Sequence, residues 1–283
     1  MKWILKIRSV LKVTALFYIV FQFLFLSSLV QLLVWKSHWR RFLQIHWLSL
    51  SSRLAIKVLD IHVQVYENEF QNPKSAFIVS NHVSYVDAII LSAVNPCVFV
   101  TSHEMREDLF FGSICKLAGC LFVERRNKSN LRGEVSELAS VLQAGFSVCV
   151  FPEATTGDGE KLLPFRSSLF EGIAEAQKQQ QVTSVLPHCL VYEAANGEPL
   201  TRELKDSIYY YGEMRFLPQL WKLAALERIE VSLEALGIIE GSDRKELCEQ
   251  SYQRIRASFE ESFSRTGDFV VQKPVHESIG FSI

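Results

Sequence analysis

Two residues in the stretch "SNHVSYVDAII", Ser80 to Ile90, have the types and spacing for proton transfer. His82 and Asp87 stand five apart, between the apolar run Ala76–Val79 and a second run that starts at Ala88. Ser84 and Asp87 also satisfy a capping box, S-x-x-D, which starts a helix near Tyr85. A carboxylate at the third helical position reaches back past the cap toward the turn that carries His82. There it can orient the imidazole, select the tautomer whose other nitrogen accepts a proton, and balance the imidazolium. This is the logic of a His–Asp pair without a nucleophilic serine of its own, in which a substrate hydroxyl takes the serine's place. Taken by itself, Asp87 is read equally well as a plain helix cap.

The elements that must position this pair read as an alternation. Candidate strands lie at 61–66, 76–80, 97–101, 121–124, 147–151, 184–191 and 229–235. Candidate helices lie at 85–94, 107–118, 130–144, 167–179, 215–226 and 243–264. Gly145 stands where a helix C-terminal glycine belongs. The order predicts an α/β domain, a mixed and largely parallel sheet flanked by helices, over 60–266. Sheets of this kind place function in loops beyond the strand carboxyl ends. Residues 267–283 read as a loosely held tail.

The front end differs from the body. Of 30 lysines and arginines, nine precede Asp60, the first acidic residue; all 31 acidic residues lie from Asp60 onward. Val13–Trp35 is an uncharged run of 23 residues, long enough at about 1.5 Å per residue to cross a bilayer core of about 30 Å. Over 37–59, Trp39, Leu43, Trp47, Leu50 and Leu54 recur at helical spacing, with Arg40, Arg41, Arg53 and Lys57 mostly off that stripe. This predicts membrane-anchoring helices over 1–59: a single span at 13–35 and an amphipathic helix at 37–59 lying at the interface. The alternative is a helical hairpin dipped into one leaflet. A basic, aromatic front on an acidic body suits an anionic membrane surface, and no motif supports nucleic-acid binding. The six cysteines show no metal-ligand spacing and read as reduced core residues.

The segment "NHVSYVD" resembles the first motif of the glycerolipid (lysophospholipid) acyltransferase family, and three further blocks follow in the family's order. "FVTSHEMREDLFFGSICKLAGCLFVERR" carries Gly112, Gly119 and Arg125, with Ser102 where the family has a lysine. "VCVFPEATTGDGEKLLPFRSSLFEGIA" resembles the Phe-Pro-Glu-Gly-Thr-Arg motif through Phe151, Pro152, Glu153 and Thr155. Ala154 and Thr156 replace its glycine and arginine, and Ser168 replaces a glycine downstream, beyond Phe165 and Arg166. "VLPHCLVY" resembles an apolar strand with an embedded proline, Pro187.

The resemblance implies acyl transfer from acyl-CoA or acyl carrier protein to a lysolipid hydroxyl, most often that of 1-acylglycerol-3-phosphate. It implies His82 as general base and Asp87 as its orienting partner. Glu153 and Thr155 would bind the acceptor, Arg125, Arg126 and Arg106 its phosphate, and Pro187 would shape the acyl-donor site. Neither a cofactor nor a metal is implied. The loss of the arginine at Thr156 leaves room for a zwitterionic or amino-acid-containing lysolipid, such as lyso-ornithine lipid. The setting implied is a bacterial inner membrane with the body in the cytoplasm. Two other readings stay open: a non-catalytic lipid-binding protein, and a hydrolase using "GFSVC", Gly145–Cys149, as a nucleophile elbow.

Overall fold

The computed structural model describes residues 2–66, 75–123, 131–178 and 184–266. In chain order the elements are α1 (Lys2–Leu33), α2 (Ser37–Leu59), β1 (Ile61–Tyr66), β2 (Ala76–Ser80), α3 (Tyr85–Val94), β3 (Cys97–Ser102), α4 (Phe111–Leu117) and β4 (Leu121–Val123). Then come α5 (Leu131–Gln143), β5 (Ser147–Val150), α6 (Glu171–Lys178), β6 (Ser184–Ala195), β7 (Glu198–Pro199), α7 (Arg202–Ile208), α8 (Phe216–Ala225), β8 (Ile229–Ala235) and α9 (Arg244–Thr266). A short 3-10 turn at His103–Glu107 precedes the helix expected at 107–118, which starts only at Phe111, and another at Ser167–Phe170 opens the one expected at 167–179. The alternation read from the sequence is the observed one. Only β7 and α7 lack a counterpart in it, and β6 runs on to Ala195.

The sheet runs in the order β1-β8-β6-β2-β5-β3-β4, with β7 paired to β6. β6 pairs antiparallel with β7 and β8; the other pairings are parallel. β2 is buried along its whole length, as a central parallel strand requires. Its alternate residues face two cores. Ala76 and Ile78 meet Ala55 and Leu59 of α2, Ile90 of α3 and Leu223 of α8; Phe77 and Val79 meet α5, α6 and α9 through Leu138, Ile173 and Phe259.

Pro187 does not lie on an edge strand, the ordinary place for a strand proline. It is buried in β6, opposite Val79 of β2. Its ring nitrogen faces the chain at 236–239, where pairing breaks: Leu236 N donates to Pro187 O, Ile239 N to Val185 O, and Gly237 between them takes φ 77°. A missing N–H costs nothing where no carbonyl waits for it. The carbonyls of Leu236, Gly237 and Ile238 accept instead from Arg254 Nη1 on α9.

The front end packs on the body. One helix among the described residues, Lys6–Leu33, is long and apolar enough to cross a membrane, with mean hydropathy 2.1. Lys12, inside it, is buried, and its ammonium donates to Leu59 O (3.1 Å) and Leu226 O (2.8 Å). The free apolar length is therefore Val13 onward, and the turn at 34–36 folds α2 back along α1 and α3. α2 buries its small and polar face, including Gln44, Ser51, Ser52 and Ala55. Trp39, Leu43, Leu50 and Leu54 of the expected stripe are exposed, and Trp47 is half-buried. Two of its cations turn inward: Arg53 Nε donates to Ala93 O at the end of α3, and Arg41 pairs with Glu137 of α5. An outward apolar face on a helix whose polar face is buried is the inverse of a soluble helix.

Candidate active site

β2 and β5 are adjacent and parallel, so the loops that leave their carboxyl ends meet. His82 follows the first and Glu153 the second. Asn81 sets where the first loop begins. Its side-chain amide extends the β2–β6 ladder by one rung, donating from Nδ2 to Leu190 O and accepting Leu190 N at Oδ1, both at 2.8 Å. The next residue therefore leaves the sheet from a fixed point.

Ser84 caps α3, and the expected capping box is present. Asp87 is fully buried at its third position and does more than cap. Its Oδ2 accepts the backbone N–H of Val83 (2.7 Å) and of Ser84 (2.8 Å) and faces His82 Nδ1 at 2.9 Å. Its Oδ1 accepts the phenol of Tyr192 at 2.7 Å. A carboxylate only accepts, so Nδ1 carries the proton and Nε2 of the neutral ring is left with its lone pair. Among the described residues Nε2 has no hydrogen-bond partner, and the His82 side chain is 19% exposed. The ring lies on Phe151, centroids 3.9 Å apart and planes 14° apart, and Phe151 stacks in turn with Phe99. A partly open imidazole with a free lone pair, held by a buried carboxylate and a flat aromatic face, has the geometry that general-base chemistry on an incoming hydroxyl requires.

Glu153 sits beside this pair with both oxygens engaged. Oε1 accepts the backbone N–H of His82 at 2.7 Å, and Oε2 that of Leu163 at 3.0 Å. Gly157 N donates to His82 O at 2.9 Å, so the 153–163 loop clasps the His82 backbone from two sides. Burial pushes the Glu153 carboxyl up to about 8 against the pull of these two N–H groups, with the nearby Asp87 charge adding to the rise. Ala154, at the family's glycine position, takes φ 61°, a conformation that disfavours a side chain by about 1–2 kcal/mol. The fold keeps the backbone shape that explains a glycine there.

Thr155 is exposed on the same loop. Arg106 lies on the 3-10 turn after β3, its guanidinium 5.4 Å above the Phe122 ring. Ser102, at the family's lysine position, accepts Met105 N and starts that turn. Gly112 is needed there for space, since a Cβ would fall 2.7 Å from Met105 O. Arg125 and Arg126 lie outside the described residues. The structure thus brings His82, Asp87 and Glu153 into direct contact, while Arg106 stands on the turn after β3 and Pro187 within β6. The residues missed in the sequence are Tyr192 and Asn81. Alternation along "LPHCLVY" puts Leu186, His188, Leu190 and Tyr192 on the α3 face, which was the available signal. "GFSVC" is not a nucleophile elbow: Ser147 accepts Ala76 N inside the sheet and Cys149 is fully buried in β5.

The Acyltransferase family model matches residues 62–191. A lyso-ornithine lipid O-acyltransferase of Rhizobium meliloti (strain 1021) is 32% identical over 222 residues, which cover 77% of this chain and 74% of the relative. The chain belongs to the acyltransferase family. A 1-acyl-sn-glycerol-3-phosphate acyltransferase of Neisseria gonorrhoeae is 27% identical over 206 residues, 72% of this chain and 76% of that one. The crystal structure of the 1-acyl-sn-glycerophosphate acyltransferase of Thermotoga maritima shares the fold, with TM-score 0.62 and 19% identity over 95% of this chain and all of that one. The protein is an enzyme of acyl transfer, which removes the non-catalytic and hydrolase readings.

Two outcomes are expected of this acyltransferase. Tyr192→Phe takes one of four donors from a buried carboxylate, so stability falls by about 1.5–3 kcal/mol in denaturant titration. Turnover falls about tenfold at unchanged acceptor KM; unchanged turnover would make Tyr192 a packing residue only. Glu153 retains, in the folded chain, a proton that the unfolded chain releases above its ordinary value of 4.5. Its contribution to stability therefore declines as pH rises from there toward about 8. Denaturation of Glu153→Gln should lack this slope, and an equal slope in both proteins would contradict the raised value.

Proposed function

We propose that His82 Nε2 takes the proton of a lysolipid hydroxyl as its oxygen attacks the carbonyl carbon of a fatty acyl thioester. The tetrahedral intermediate collapses with cleavage of the C–S bond, and the imidazolium returns its proton to the leaving thiolate. Asp87 balances the transient positive charge. The observation that carries this reading is the fully buried Asp87 carboxylate on Nδ1, with Nε2 free and partly open. Acyl-CoA or acyl carrier protein is the donor and a co-substrate; the reaction needs no cofactor. Glu153 acts through the His82 loop, since both of its oxygens already hold backbone N–H groups.

The acceptor reading favoured by the residues is a lyso-ornithine lipid. Thr156 supplies no guanidinium for a phosphate, Ser102 no ammonium, and the Rhizobium relative bears that acceptor in its name. The second reading, 1-acylglycerol-3-phosphate converted to phosphatidate, is supported by the Neisseria relative. Arg125 and Arg126, which follow β4 in sequence, and Arg106 would then hold the phosphate, Thr155 would meet the acceptor's polar groups and Pro187 would shape the donor site. The product in either case is a membrane lipid. We place the α1–α2 hairpin in one leaflet, because Lys12 fixes the base of α1 to the body and both helices turn aromatic and aliphatic side chains outward. The setting is the inner membrane of a bacterium, with the body on the cytoplasmic face.

The test is acyl transfer by detergent-solubilised protein, wild type beside His82→Ala. Both donors would be offered with lyso-ornithine lipid, lysophosphatidate and other lysophospholipids. His82→Ala should lose about 10²–10⁴-fold in turnover while binding vesicles as before. Near-normal turnover would remove the general-base role, and the acceptor used by wild type decides between the two readings.

A further inference from the structure

We propose that α8 is a second membrane-contacting element, seated in the same leaflet as the α1–α2 hairpin, so that the lipid surface reaches the rim of the active site. The proposal rests on the membrane reading above and extends it to a helix in the middle of the body. Four observations carry it. The outer face of α8 is apolar: Leu217 is 62% exposed and Trp221, one turn on, is 45% exposed. Leu109, on the segment between the 3-10 turn and α4, is 93% exposed. It joins α8 through its neighbour Phe110, whose ring lies 5.6 Å from that of Phe216. No other described element covers this patch, and an exposed apolar cluster of this kind marks an interaction surface.

The patch is continuous with the hairpin. α8 packs beside α1, and the buried Lys12 of α1 donates to Leu226 O at the C-terminal end of α8. Exposed charges at α8 are Arg215 just before it and Lys222 in its last turn, with Glu213 and Glu227 farther out at its two ends. A tryptophan with aliphatic neighbours and basic flanks is the composition of a helix lying in the headgroup region of an anionic leaflet.

α8 is also tied rigidly to the catalytic pair. Gln219 accepts the phenol of Tyr85 at 2.6 Å, and Tyr85 is the first residue of α3. The Gln219 amide donates to the carbonyls of Ser207, Ile208 and Tyr209, and Ser84, the cap of α3, donates to Ile208 O. The Phe216 ring packs on Tyr85 at 5.3 Å and on Phe111 at 4.9 Å. Seating α8 in lipid therefore sets the N-terminus of α3, and with it His82, at a fixed height above the leaflet. A lysolipid diffusing laterally would pass these aromatic rings on its way to Nε2, without leaving the interface.

The experiment uses tryptophan depth in vesicles of phosphatidylethanolamine and phosphatidylglycerol that carry lipids spin-labelled near the headgroup end of the acyl chain. In the full chain, Trp3, Trp35, Trp39 and Trp47 are changed to Phe, leaving Trp221. A companion chain keeps only Trp39 of α2. Retained acyl transfer in detergent shows that each is folded. Lipid quenching of both residues is the expected result. Quenching of Trp39 alone overturns the proposal and leaves the hairpin anchored. Quenching of neither overturns the membrane reading together with it. A Trp221 shielded from lipid and from aqueous iodide alike would mean that a protein surface covers α8, which also overturns the proposal. Independently, Leu217→Asp in the otherwise unaltered chain should weaken vesicle binding about 5- to 10-fold, and unchanged binding would count against it.

Discussion

A carboxylate shut off from water needs its acceptor capacity filled, and Asp87 fills it from four directions. Two donors are backbone N–H groups of its own turn, one is the histidine it serves, and the fourth comes from β6, more than a hundred residues away in sequence. Removing any of them leaves a buried charge short of a partner, which costs more than a hydrogen bond on the surface. The site therefore depends on the register of β6 against β2. Asn81 reinforces that register by pairing its side chain with Leu190, two residues before Tyr192. Burial, which comes first, and the Asp87 charge raise the Tyr192 phenol well above its usual value, so it remains a donor.

Capping and the hold on His82 are one arrangement here. The geometry that makes Asp87 a capping residue points its oxygens at the turn preceding α3, and that turn carries the proposed base. Glu153 repeats the pattern from the neighbouring strand: a buried carboxyl whose oxygens shape backbone. The two carboxyls divide the work. Asp87 fixes the ring of His82, and Glu153 fixes its peptide, while Phe151 limits rotation of the imidazole by lying flat against it.

The local parts of this site were legible in the sequence. The H-x4-D spacing, the capping box, the strand that precedes it and the loop after β5 each follow from short-range pattern. Gly145 ends α5 as read, with φ 86° and its N–H on Leu142 O. What stayed hidden depends on pairs distant in sequence. Tyr192 reads as the end of an apolar strand until β6 is placed next to β2. The helix expected from 107 starts only at Phe111, because Ser102 caps a 3-10 turn at 103–107, Asp108 accepts the N–H groups of Phe110 and Phe111, and Gly112 must pass close to the carbonyl of Met105; the helix expected from 167 opens with a 3-10 turn at 167–170. The apolar stripe of α2 was read correctly, but the buried ends of Arg53 and Arg41 could not be, since their partners lie on α3 and α5. β7 is two residues long and α7 seven, too short for periodicity to register.

The measurement that bears most directly on the buried charge is turnover of Asp87→Asn in detergent micelles, beside a denaturation curve. An asparagine can place its oxygen where Oδ2 accepts three donors and donate from its amide to the Tyr192 oxygen, so the cap is kept while the charge and the acceptor for the Tyr192 proton are lost. Turnover is expected to fall about 10²–10⁴-fold, far more than the modest drop in stability from leaving the Tyr192 proton without its acceptor, because the imidazolium formed at His82 is no longer balanced. Full turnover with lowered stability would contradict that balancing role and would leave Asp87 as a helix cap alone.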